Sequence, residues 1–95
     1  MGIKYSLLLL ILINPPSYRI VFQFSNAHKQ PVAAKIRIYQ NGELLREHQT
    51  NGAFEAYLPE GKYTVVAMRC DTVQNEIKSD RNKMVWMIVN DGCVQ

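Results

Sequence analysis

The chain has 95 residues, 47% of them hydrophobic and 20% charged, with eleven Lys and Arg against eight Asp and Glu for a net charge of +3. That is one domain, and the basic residues are scattered among acids. This excludes the clustered positive face that binding to nucleic-acid phosphates requires.

The first segment, residues 1–18, opens with Lys4 and continues into Leu7-Leu8-Leu9-Leu10-Ile11-Leu12-Ile13. A short basic start before a compact apolar run has the layout of a secretory signal or membrane-targeting segment. The run is about half the ~20 apolar residues that cross a hydrocarbon core, so a spanning helix is the weaker reading. Asn14-Pro15-Pro16-Ser17-Tyr18 offers only Ser17 as a small residue for cleavage. The competing reading makes Leu7–Ile13 a buried strand, although leucine favours helix and β-branched residues are scarce there.

Residues 19–95 form the domain, at a size where one core is only marginally stabilising. Arg19–Phe24 alternates as a strand with Ile20, Phe22 and Phe24 on one side. A polar connection closed by Pro31 leads to Val32–Tyr39, where Val32, Ala34, Ile36 and Ile38 face inward. Lys35, Arg37 and Tyr39 face solvent. Asn41-Gly42 is a strong hairpin signal because both positions tolerate positive φ. It leads to Glu43–Gln49, a ragged, charged strand that fits a sheet edge, with Leu44, Arg46 and His48 opposite Leu45 and Glu47.

Asn51-Gly52 predicts a further hairpin into Ala53–Leu58, with Phe54, Ala56 and Leu58 inward and Glu55 and Tyr57 outward. Leu58-Pro59-Glu60-Gly61 is a tight turn. Lys62–Cys70 follows as the strongest strand by composition. Asp71–Asn82 has no clear period: Val73 and Ile77, four apart, would seat a helical turn, and a loop or poor strand fits equally. Lys83–Asn90 is apolar on both faces, as expected of a central strand covered on two sides. About seven short strands with turns between them predict a small all-β, Ig-like sandwich.

Within this pattern, Pro31-Val32, Thr50-Asn51-Gly52-Ala53-Phe54 and Leu58-Pro59-Glu60-Gly61-Lys62-Tyr63 resemble the carboxypeptidase regulatory-like and Cna protein B-type domains. These are prealbumin-like β-sandwiches, and the likeness spans about half of the body. The resemblance implies a non-catalytic, extracytoplasmic module for binding, spacing or adhesion. Two departures narrow it. Arg19–Phe24 holds no lysine and no glutamate follows Tyr63-Thr64-Val65, so the Lys–Asn crosslink of Cna B-type domains is not expected. The tail Asn90-Asp91-Gly92-Cys93-Val94-Gln95 also lacks the Tyr-Arg-Gly-Ser motif of the similarly built transthyretin-like hydrolases.

The two cysteines, Cys70 and Cys93, read as one disulfide in an exported chain, or as two free thiols in a cytosolic one. Neither these nor His28 and His48 follow a metal-ligand or redox spacing, so neither metal nor cofactor is expected. No nucleophile elbow or phosphate loop supports an enzyme. Tyr39 and Tyr57, with Lys35 and Arg37, make a candidate binding surface if their strands share a sheet; otherwise they are ordinary tyrosines on sheet faces. The expected partner is a protein or carbohydrate at the cell envelope, with no nucleic acid. Membrane contact is expected only through an uncleaved N-terminal segment. The alternative is a secreted or periplasmic inhibitor of a partner enzyme that uses a turn at Asn41-Gly42 or Asn51-Gly52.

Overall fold

A computed structural model describes residues 15–93. The signal and strand readings of Leu7–Ile13 lie outside the described residues. Seven strands, β1 (Ser17–Ser25), β2 (Ala33–Gln40), β3 (Glu43–Asn51), β4 (Ala53–Pro59), β5 (Gly61–Met68), β6 (Thr72–Ser79) and β7 (Lys83–Ile88), form a three-stranded sheet β4-β1-β7 and a four-stranded sheet β3-β2-β5-β6. Pairing is antiparallel except between β1 and β7, which run parallel.

The inward residues expected from alternation fill the space between the sheets. Ile20, Phe22 and Phe24 of β1 face Ile36, Ile38 and Val65 of the opposite sheet, and all six are essentially inaccessible. Burying each such side chain stabilises the fold by about 1.5–3 kcal/mol. The polar groups drawn inward are satisfied: Thr50 Oγ1 donates to Ala34 O at 2.7 Å, and Ser79 Oγ donates to Leu58 O at 2.8 Å.

Asn41 (φ 52°) and Gly42 (φ 79°) form the expected two-residue hairpin turn, with both central residues at positive φ as a type I′ turn requires. Asn51-Gly52 does not form a hairpin, because β3 and β4 belong to different sheets. The turn is a corner that carries the chain across the sandwich. Gly52 is buried there at φ 94°, its carbonyl accepts the Phe24 N–H at 2.9 Å, and a Cβ on it would stand 3.1 Å from Pro31 Cβ.

Of the readings open for Asp71–Asn82 the structure takes the strand, Thr72–Ser79: Val73, Asn75, Ile77 and Ser79 point inward, but only two of the four are apolar, which weakened the period. Two further expectations change. In β3 the register shifts so that Tyr39 pairs with Leu44 while Ile38 pairs with Arg46. Leu45 is thus the extra residue of a bulge, and Leu44 leaves the side that Arg46 and His48 share. β7 is an edge strand, not a central one. Val85, Met87 and Val89 pack inward, but nothing among the described residues covers Met84, Trp86 and Ile88.

Candidate binding surface

The residues singled out as a surface are split by the sandwich. Lys35, Arg37 and Tyr39 lie on the outer face of β2 in the four-stranded sheet, whereas Tyr57 lies on the outer face of β4 in the other. The condition that Tyr39 and Tyr57 share a sheet therefore fails, because the Asn51-Gly52 corner moves β4 across. On β2 the cations are engaged. Arg37 Nε meets Glu47 Oε1 at 2.7 Å and Lys35 Nζ meets the same oxygen at 3.7 Å, which holds the Glu47 carboxyl below its ordinary range, the Arg37 hydrogen bond contributing most. Beside Tyr57, Arg19 pairs with Glu55 at 3.0 Å and lowers that carboxyl in the same way.

The apolar surface that stands out is on β7. Met84, Trp86 and Ile88 are 52%, 62% and 64% exposed, and all three project from one face of one strand. The parallel register sets Val21 of β1 beside Met84 and polar Gln23 beside Trp86, so the apolar stripe extends onto β1 at Val21 only. At its far end a hollow of about 470 Å³ is lined by Ser25, Lys29, Trp86 and Ile88. Three large apolar side chains in a row make a patch of a few hundred Å², the size of the largest apolar patch on a typical monomer, which is often functional. The sequence signal was present: a strand apolar on both faces belongs either in a sheet interior or at an interface.

The surroundings of this stripe are rigidly held. Cys70 and Cys93 form a disulfide, with Cα atoms 5.1 Å apart, that fastens the segment after β7 to the end of β5. Cys70 N–H donates to Asn90 O at 3.3 Å, and Asn90 N–H donates to Asp71 Oδ1 at 3.1 Å. Across the gap, buried Asn26 donates through Nδ2 to Asp91 Oδ2 at 3.0 Å and accepts at Oδ1 from the His28 and Gln30 N–H groups. Lys29 is thereby held at positive φ in the loop beside Trp86. A closed disulfide suggests an oxidising, extracytoplasmic environment.

Of the remaining candidates, His48 stacks on Phe54 with ring centroids 4.7 Å apart, closing the β3–β4 side of the sandwich. No group of three His, Cys, Asp or Glu among the described residues is placed to hold a metal ion. Of the two turns proposed as inhibitory tips, Asn41-Gly42 has both residues exposed, whereas in Asn51-Gly52 Asn51 is exposed and Gly52 is buried.

No protein-family model matches the chain, and neither does any curated protein. Among solved structures it is similar to a DUF3823 family protein from Parabacteroides merdae ATCC 43184, at 14% identity and a TM-score of 0.60. The match covers 77% of this chain and 45% of that one, so this chain spans less than half of its neighbour's length. At that identity the likeness shows the fold alone, a β-sandwich.

Proposed function

We propose that this chain is a non-enzymatic β-sandwich module of the carboxypeptidase regulatory-like or Cna B-type kind, secreted, periplasmic or at the cell surface. It binds another protein there through the outer face of β7. The observation that carries this reading is the stripe of Met84, Trp86 and Ile88, more than half exposed on a strand whose other face is core. Leaving such a stripe in water forgoes several kcal/mol of burial, which a partner recovers. The disulfide supports export. Export by a cleaved signal carries one constraint: Glu60 N–H donates to Pro16 O at 2.8 Å and Ser17 pairs with Pro59. Cleavage after Ser17 would remove both contacts, so a mature chain starting at Tyr18 would lose the first part of the β1–β4 pairing.

Site-specific photo-crosslinking in the producing cells tests the binding reading. A crosslinker at position 86 should trap a protein, and one at position 74, exposed on β6 of the opposite sheet, should not. Equal trapping at both positions, or none at 86, would refute it.

A further inference from the structure

We infer that the partner on β7 is a second copy of this chain, joined edge to edge about a two-fold axis at Trp86; this rests on β7 being the binding surface. Sheet edges normally carry devices against pairing. β3 has a bulge and Glu43, Arg46, Glu47 and His48; β4 has Glu55 and Pro59; β6 has Glu76 and Lys78. β7 has only Lys83, at its first residue, whose ammonium is turned back to Asp80 Oδ1 at 3.0 Å and to Lys78 O. From Met84 to Ile88 the edge is uncharged.

Among the described residues nothing pairs with the backbone of that edge. Val89 N–H, one residue beyond β7, donates to Ser25 O of β1 at 2.8 Å. By strand alternation the odd-numbered residues address β1, and the N–H and C=O groups of Met84, Trp86 and Ile88 point to the open edge. An antiparallel copy centred on Trp86 sets Met84 opposite Ile88, Trp86 opposite Trp86 and Val85 opposite Met87. Each of the three even positions exchanges two hydrogen bonds, about six in all. Lys83 falls opposite Val89, so no like charges meet. The self-match is what favours a second copy over an unlike strand, since an isologous contact needs one surface complementary to itself. Edge pairing sets the two stripes side by side, so Met84–Ile88 and Trp86–Trp86 contacts add to the backbone bonds, and so short an interface belongs with the weak, concentration-dependent ones.

Trp86 is the sole tryptophan, so its emission reports on this contact alone. The oxidised chain recovered from producing cells should double in mass by sedimentation equilibrium across a roughly thousandfold concentration range, with Trp86 emission moving to shorter wavelength in step. Ile88→Lys, at an exposed position, should raise the dissociation constant at least tenfold while far-UV circular dichroism is unchanged, and Leu44→Lys on β3 should leave it unaltered. A single-chain mass throughout, or a dimer indifferent to Ile88→Lys, would overturn the proposal. The position-86 crosslink separates the two readings. Trapping of this same chain supports both, trapping of a different protein by a monomeric chain keeps β7 as the binding surface and rejects self-association, and no trapping rejects both.

Discussion

Gly52 illustrates how one residue directs the chain. At φ 94°, with Pro31 Cβ 3.1 Å from where a side chain would begin, it permits the corner that sends β4 to the second sheet. Gly52→Ala should lower stability by more than about 1 kcal/mol, read as a lowered denaturation midpoint, because both the dihedral and the space are wrong for a Cβ. Ile36, fully buried between the sheets, should cost about 2–5 kcal/mol on truncation to alanine, whereas the same change at exposed Leu44 should stay within about 0.5 kcal/mol. The lowered carboxyls of Glu47 and Glu55 set a small pH dependence. A group whose folded pKa is depressed stabilises the fold fully above its ordinary value, here 4.5, and loses that contribution as pH falls through the lower folded value. Acid titration of the unfolding midpoint should therefore show a modest decline below pH 4.5, diminished by salt because these pairs are exposed.

At the scale of elements, the legible parts of the sequence were those where alternation was strong and the turn was local. β1, β2 and β5 match because each sets three apolar residues at period two, and Asn41-Gly42 because its turn type depends on those two residues alone. Asn51-Gly52 was legible as a turn but not as a corner, since the choice between hairpin and crossover is made by packing on Pro31 and Phe24, far away in sequence. β6 could be read only as one of several alternatives, because half of its inward positions are Asn75 and Ser79. The Cys70–Cys93 pairing was readable from cysteine count, and the structure adds its purpose: it fixes the chain after β7 to the β5–β6 connection. Closing a loop across a sequence separation of 23 residues stabilises by roughly 3 kcal/mol in the chain-entropy account. Replacing both cysteines with serine should lower the unfolding free energy by about that amount and loosen β7 first, seen as faster amide exchange at Val85 and Met87 than in the intact chain.

For the molecule as a whole, the two sheets use their inward faces for the core; the outer face of the four-stranded sheet carries the Lys35–Arg37–Glu47 ion pairs, and that of the three-stranded sheet carries the Arg19–Glu55 pair at β4 and the apolar stripe at β7. The sequence pointed to tyrosines on β2 and β4 as a surface, a choice that depended on those strands sharing a sheet. Which strand ends a sheet is a property of topology, and without it the second apolar face of β7 was assigned to the interior. An uncharged edge, an apolar stripe and a nearby disulfide come together at β7, the strand we propose as the binding surface. Residue-resolved hydrogen exchange tests this most directly. In the dilute chain the amides of Met84, Trp86 and Ile88 should exchange freely, and in the associated state, whether with a second copy or a crosslinked partner, those three should become protected while the β3 and β6 edges stay unchanged. Protection appearing at β3 or β6 while β7 remains open would contradict it.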